Sequence, residues 1–202
     1  MKEFELAQRI ELIVASPMRR TMQTAQETMG WLIEKGVPVA LRAEWQENSA
    51  KPCDTGTDIE VMSKEWSQLD WSNVDPLFPS KTGLFEFSKD GLTKRGIEAR
   101  RWLKNRPEKV IAVVSHAGFL RVGVSYCQYD NADFRVFEFV DGDEDDAVGG
   151  RLVEWKLTEE RGGGLGKSLK GKFGWETQTF PEIDENGNEV ERVPKEEAEN
   201  FS

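Results

Sequence analysis

The fold of this chain is decided by the stretch Val113-Val114-Ser115-His116-Ala117-Gly118-Phe119-Leu120-Arg121, which carries the only histidine in the sequence. The apolar run that leads into it begins at Val110 and is β-branched and too short for a buried helix, so it predicts a buried strand. His116 then lies where this strand turns into a helix. Because the carboxyl ends of strands in an open α/β sheet face the ligand crevice, His116 is a candidate site residue. The alternative is a hydrogen-bonded structural histidine at a helix start.

A second stretch of the same layout lies near the N-terminus and reads Ile13-Val14-Ala15-Ser16-Pro17-Met18-Arg19-Arg20-Thr21-Met22-Gln23-Thr24-Ala25. We expect Ser16 to cap a helix that begins at Pro17, with Arg19 and Arg20 in its first turn. A guanidinium beside free helix N–H groups matches the oxygens of a phosphate. Solvated arginines are the alternative, but helix N-termini prefer acidic residues, so the pattern favours an anion site.

The two stretches together resemble blocks of the histidine phosphatase superfamily, the phosphoglycerate mutase-like proteins. Residues 16–25 resemble its Ser-x-Leu-x-Arg-Ala-x-x-Thr-Ala block, and residues 113–121 resemble its second-histidine block. The segment Glu44-Trp45-Gln46-Glu47-Asn48 resembles the stretch with the family's proton-donating glutamate, and Pro52-Cys53-Asp54-Thr55-Gly56 resembles fungal members. The resemblance covers residues 5–157 and implies an α/β fold, a three-layer α/β/α sandwich around a mostly parallel sheet.

The resemblance also implies a role for three residues. Arg20 would grip the phosphate, His116 would help to hold the phosphoryl group, and Glu47 would be the general acid for the leaving oxygen. Glu44 lies one turn away and is the alternative acid. These roles suit phosphoryl transfer, which needs mainly positioning, electrostatic stabilisation and a nearby proton. The implied ligand is a small phosphorylated substrate or a phosphate anion, with no cofactor and no metal.

The family's nucleophile is absent from the sequence. In the family it is a histidine in an Arg-His-Gly or Arg-His-Ala block on the first strand, whereas His116 is already assigned to the second position. The resemblance therefore implies that the first strand is missing and that the chain as given lacks phosphomonoester hydrolysis or phosphoryl transfer. Two explanations stay open: a truncated phosphatase or phosphomutase, and a pseudophosphatase that serves as a non-catalytic phosphate-binding or protein-interaction module.

The absence of this strand also predicts a change in how the strands of the sheet pair. We expect it to belong between the strands that end at Ser16 and Ser115. Its loss would then either leave open strand edges that favour self-association, or let the two flanking strands pair directly.

The composition of the chain argues against two classes of binding partner. The net charge of −10 argues against nucleic acid and anionic membrane surfaces, both of which need basic patches. Cys53 and Cys127 form no disulfide framework or metal-ligand pattern. The chain has no run near the roughly 20 apolar residues that span a bilayer, and we expect a cytoplasmic protein.

Further elements follow from periodicity and turn signals. Helices are predicted over 17–34, 57–68 and 93–105, and strands over 37–41, 134–140 and 152–157, with an irregular loop over the site mouth at 71–90. The third helix has a basic cluster that is predicted to be a solvated face: Lys94, Arg95, Arg100, Arg101 and Lys104.

Two segments resemble known ligand-binding loops but lack residues that those loops require. Residues 162–168 resemble a phosphate loop, but Arg161 stands where the first glycine is needed, so a flexible basic loop is expected. Residues 141–146 resemble a calcium loop that lacks its glycine and final glutamate, so a solvated hairpin is expected. We predict one domain over 1–160, followed by a flexible or loosely docked tail over 161–202, whose residues Phe173, Trp175 and Phe180 could dock on the domain.

Overall fold

The computed structural model of the chain describes residues 4–140, 148–175, 180, 182–183 and 189–190. Its helices are α1 (Arg19–Ile33), α2 (Ile59–Glu65), α3 (Lys89–Lys104), α4 (Ala117–Phe119) and α5 (Lys156–Glu159). Its strands are β1 (Leu12–Ala15), β2 (Val39–Leu41), β3 (Ile111–Val114), β4 (Phe137–Phe139), β5 (Leu152–Glu154), β6 (Glu182–Ile183) and β7 (Glu189–Val190). Helix α4 continues into a π-helix over Leu120–Ser125, and 3-10 turns cover Glu5–Arg9, Ala43–Trp45, Pro52–Asp54 and Gly83–Phe85.

The main sheet is parallel and has the strand order β2-β1-β3. Strand β1 pairs with β3 over its whole length, from Leu12 opposite Ile111 to Ala15 opposite Val114, and with β2 from Ile13 opposite Val39. All four residues of β1 are buried, whereas those of β3 are half-buried. The α/β prediction with a parallel sheet is confirmed. Of the two outcomes expected for the strands that end at Ser16 and Ser115, the structure has the direct pairing.

Two smaller sheets lie in the second half of the chain. Strands β4 and β5 pair antiparallel, with Phe137 opposite Glu154, as the alternation of their residues predicts. Strands β6 and β7 form a short antiparallel pair. The segment 141–146, which resembles a calcium loop in sequence, lies outside the described residues.

Helix α1 begins later than the sequence predicts. Its first residue is Arg19, Met18 is the N-cap, and no side chain caps it, so the expectation of a Ser16 cap with Pro17 in the first turn is wrong. The Ser16 backbone carbonyl instead accepts a hydrogen bond from the Thr21 hydroxyl at 2.9 Å, and the Ser16 side chain is wholly buried. The apolar face of the helix buries Met22, Ala25, Met29 and Leu32.

Helix α3 has two buried arginines. Its N-cap is Ser88, whose hydroxyl accepts from the Gly91 N–H, so it begins four residues before the predicted start. Arg95 and Arg100 are buried, so the prediction of a solvated basic face is wrong for both. Arg100 donates to the backbone carbonyls of Gly123 and, at 2.7 Å, of Val148, and these bonds fasten α3 to its neighbours.

The glycine-rich segment at 162–168 folds around a carboxylate. Asp133 accepts hydrogen bonds from the backbone N–H groups of Leu165, Lys167 and Ser168 at 2.9, 3.1 and 3.1 Å, and from the Ser168 hydroxyl at 2.7 Å. These bonds fix a segment that the sequence predicted to be a flexible loop. The domain boundary near residue 160 stays a prediction.

The aromatic residues after this segment contact the rest of the molecule. Trp175 and Phe180 pack against the core that includes β1 and α3, with Phe180 5.4 Å from the Phe87 ring. The backbone N–H of Phe173 donates to the Tyr126 carbonyl at 2.7 Å. Among the described residues, no helix is both long and apolar enough to cross a bilayer.

Candidate functional site

The ends of β1 and β3 bring Ser16, Arg20 and His116 together. Because these two strands are parallel neighbours, the residues that follow them meet at one edge of the sheet. Arg20 Nη2 and Nε lie 2.8 and 3.1 Å from His116 Nδ1, and His116 Nε2 lies 3.0 Å from Ser16 Oγ. An arginine can only donate, so Nδ1 accepts and the ring proton is assigned to Nε2, which donates to Ser16 Oγ. Both nitrogens of His116 are therefore engaged.

His116 is neutral in this environment. It is 4% exposed, and burial is the main cause that lowers its pKa to about 3. The positive charges of Arg20, Lys81 and Arg95 lower it further. A neutral imidazole between a cationic donor and a hydroxyl acts here as a hydrogen-bond relay rather than as a charge.

Acidification is expected to destabilise the fold through His116. The unfolded state binds its proton near pH 6.5 and the folded state only near pH 3, so stability rises with pH between these values. Between pH 7 and pH 5 the chain should lose about 2 kcal/mol of unfolding free energy by this route. Urea denaturation at both pH values measures the loss.

The His116→Gln variant is the control, since His116 is the only histidine. The variant should lack this part of the pH dependence. An equal pH dependence in the variant and the wild type would contradict the buried neutral histidine.

Arg20 reaches from the sheet edge toward the segment that follows Glu47. Its Nη1 donates to the Cys53 carbonyl at 2.6 Å, and its Nη2 lies 3.6 Å from an Asp54 carboxylate oxygen. The Arg20 side chain is 47% exposed. The guanidinium is thus held by His116 on one edge while it stays open to solvent, which is the arrangement of an anion clamp.

Glu47 lies on the other wall of this site. Its carboxylate accepts from the Asn48 N–H at 2.9 Å, and a Cβ added to Gly118 would lie 2.7 Å from Glu47 Oε1. Burial raises the pKa of Glu47 above its usual value, and this rise is opposed by the Asn48 N–H and by the charges of Arg20 and Arg95. Glu44, the alternative acid, is instead ion-paired with Arg42. The structure thus brings Arg20 and His116 into contact and places the Glu47 carboxyl beside Gly118, where the charge of Arg20 acts on it.

The sequence did not single out three residues that border this site: Asn48, Lys81 and Arg95. Lys81 Nζ donates to the Glu47 carbonyl at 2.6 Å, and burial, followed by the charge of Arg95, lowers its pKa to about 7. Lys81 comes from the irregular loop that was predicted over the site mouth. In the sequence, Asn48 belongs to the segment that resembles the glutamate stretch of the family, and Arg95 belongs to the basic cluster of the third predicted helix. In the parts of the chain that the structure describes, no three His, Cys, Asp or Glu side chains are grouped as a metal site.

Comparison with known proteins gives the family. The family model described as "Histidine phosphatase superfamily (branch 1)" matches residues 3–142. A probable phosphatase of Schizosaccharomyces pombe is 30% identical over 116 residues, which are 56% of this chain and 54% of that protein. A phosphoglycerate mutase-like protein of Arabidopsis thaliana is 27% identical over 147 residues, 57% of this chain and 53% of that protein.

Phosphoglycerate mutase-like protein 2 of the same plant is 27% identical over 170 residues, 57% of this chain and 49% of that protein. The chain spans about half the length of the curated relatives it matches. No solved structure matches it. The family model covers well over half of the chain, in the region that holds Arg20, Glu47 and His116, and the chain belongs to the histidine phosphatase superfamily, branch 1.

Proposed function

We propose that Arg20, His116 and Glu47 form a pocket for the phosphoryl group of a small phosphorylated molecule. The observation that carries the proposal is the contact of 2.8 Å between Arg20 Nη2 and the neutral, buried His116. This contact fixes a half-exposed guanidinium whose charge acts on the Glu47 carboxyl. Family membership supports the same function, because the similar fission yeast protein is named as a probable phosphatase.

Each group has a physical role in such a pocket. Arg20 supplies a planar set of N–H donors that match two phosphate oxygens, and His116 orients that guanidinium. Glu47 has a raised pKa, so it holds a proton more readily than an exposed glutamate does. A protonated Glu47 carboxyl can donate a hydrogen bond to the bridging oxygen of the bound ester, the oxygen to which a general acid would pass its proton.

We propose that the 202-residue chain binds phosphate esters without hydrolysing them. A nitrogen nucleophile needs a free lone pair, whereas His116 Nδ1 accepts from Arg20 and Nε2 carries the proton donated to Ser16. The sequence holds no second histidine. These observations favour the non-catalytic phosphate-binding module for this chain. With His116 in the second position, phosphomonoester hydrolysis or phosphoryl transfer through the family's phosphohistidine would require a second histidine.

Arg20→Ala is expected to weaken the binding of inorganic phosphate by about fivefold or more. The loss corresponds to about 1 kcal/mol, the scale of a charge-assisted hydrogen bond. Isothermal titration of the full chain with phosphate measures it. Arg19→Ala is a matched control, because Arg19 is adjacent in sequence but pairs with Glu65 at 2.5 Å and should leave the affinity unchanged.

Two results would overturn the proposal. Equal phosphate affinity in the wild type and Arg20→Ala would remove Arg20 from the pocket. Hydrolysis of 4-nitrophenyl phosphate by the wild type that disappears in His116→Ala would make His116 the nucleophile, and the chain would then be a phosphatase rather than a binding module.

A further inference from the structure

Arg95 is a wholly buried cation behind the proposed pocket. It is 0% exposed, its guanidinium lies 4.1 Å from the centre of the Phe119 ring, and its Nη2 donates to Asn48 Oδ1 at 2.9 Å. Within the part of the chain that the structure describes, its Nε and Nη1 have no hydrogen-bond partner. Among the described residues, no carboxylate lies within ion-pair distance of it. Burial of a charge with one hydrogen bond is costly, so this arrangement requires an explanation beyond stability.

The arginine dictates which way the Asn48 amide points. Because a guanidinium can only donate, the amide oxygen of Asn48 must face Arg95 and the amide nitrogen must face away from it. The nitrogen then lies beside Gly118, since a Cβ added there would be 3.1 Å from Asn48 Nδ2. The same point is 2.7 Å from Glu47 Oε1. Within the described residues, Asn48 Nδ2 has no acceptor.

The surface above Gly118 thus offers an amide donor next to the carboxyl of Glu47, two residues after His116. A side chain at position 118 would enter the space that these two groups border. An N–H donor with no acceptor among the described residues, in the pocket proposed for a phosphoryl group, is matched to an anionic oxygen.

We propose that Asn48 is a further phosphate-binding residue, and that Arg95 is the positioning residue that turns the Asn48 amide N–H groups toward the bound anion. The inference rests on the proposed function of the pocket. Arg95 is too deeply buried to reach the anion and acts through Asn48. The alternative is that Asn48 only ties its own segment to helix α3 and makes no contact with the ligand.

The Asn48→Asp variant separates these two roles. Aspartate has the shape of asparagine and gives Arg95 a full ion pair, but it presents an oxygen instead of an N–H group to the anion. Phosphate affinity should fall at least about tenfold, while the Tm stays the same or rises. Isothermal titration with inorganic phosphate and a thermal melt of the full chain measure the two quantities. Asn131→Asp adds the same charge in an exposed turn and should change neither.

The amide of Asn48 can also be observed directly. In a ¹⁵N-labelled chain, its side-chain N–H signals are identified by their absence from Asn48→Asp, and they should shift as phosphate is added. Arg95→Lys keeps a buried donor for Asn48 Oδ1 and should retain phosphate affinity, whereas Arg95→Met should lower it about tenfold. Rescue by lysine distinguishes orientation of the amide from simple packing.

The outcomes distinguish this inference from the function it rests on. If the wild type binds no phosphate, the proposed function fails and this inference fails with it. If Arg20→Ala weakens binding but Asn48→Asp does not, the pocket stands and Asn48 is not part of it. If Asn48→Asp lowers affinity and Tm together and the amide signals do not shift, Asn48 is structural and the inference is wrong.

Discussion

Glu154→Ala is expected to lower the free energy of unfolding by about 3–5 kcal/mol, because it breaks a buried ion pair from one side. Glu154 Oε1 accepts from Arg135 Nη1 at 2.7 Å and from the Thr158 hydroxyl at 2.9 Å. The two charged side chains are 3% and 1% exposed. Without the carboxylate, the Arg135 charge stays buried, and its remaining hydrogen-bond acceptors among the described residues are the backbone carbonyls of Gln128 and Leu169.

Urea denaturation of the wild type and the variant measures the loss. Glu60→Ala is the control, because Glu60 pairs with Lys64 on the exposed surface of α2 and should show no measurable effect. A double variant in which Arg135→Met accompanies Glu154→Leu should recover much of the lost stability. A loss in Glu154→Ala no larger than that in Glu60→Ala would contradict the account of this pair.

Gly96→Ala is expected to destabilise the fold by about 3 kcal/mol, the upper end of the usual range for overpacking. Helix α3 packs directly on the π-helix over Leu120–Ser125, and a Cβ at Gly96 would overlap the backbone carbonyl of Gly123. Backbone cannot rotate away as a side chain can, so the two helices would have to separate. Their separation would also disturb the bond from Arg100 to the same carbonyl.

The expected effect of Gly96→Ala is opposite in sign to that of the same change at an ordinary helical glycine. Replacement of glycine by alanine inside a helix normally stabilises by up to about 1 kcal/mol. Gly30→Ala in α1 should follow that rule, because its Cβ would meet only the flexible end of the Gln26 side chain at 3.0 Å. Thermal melts of both variants provide the comparison. Stabilisation by Gly96→Ala would show that the two helices do not pack as closely as described.

The main elements of the site could be predicted from the sequence because they depend on local patterns. Two short apolar runs that end at Ser16 and Ser115 indicate strands, and parallel neighbours bring their ends to one edge of a sheet. That geometry alone places His116 near Arg20. The start of α1 was predicted wrongly because the Ser16 hydroxyl is used by His116, which lies 100 residues later in the chain. A cap preference is local and gives no information about such a partner.

The burial of Arg95 and Arg100 is indicated by their spacing in the helix but not by their charge. Both residues follow the helical spacing of the buried face of α3, which includes Leu92, Gly96 and Ala99. The spacing predicts burial, whereas the residue type predicts exposure, and in this helix the spacing prevails because each guanidinium has a polar acceptor inside the molecule. Neither spacing nor residue type predicts the place of Lys81 in the site, because its position depends on how an irregular loop folds over Glu47.

The contacts of Asp133 decide how far the chain can be shortened for structure determination. A chain cut after residue 160 would remove the three backbone donors and the hydroxyl that bind this carboxylate, and it would uncover the Phe134 ring on which Gly164 lies. It would also remove the Leu169 carbonyl that Arg135 uses and the Lys172 amine that lies 3.1 Å from the Cys127 sulfur. A shortened chain should therefore extend at least to Phe180, so that Phe173, Trp175 and Phe180, which also contact the earlier part of the chain, are retained.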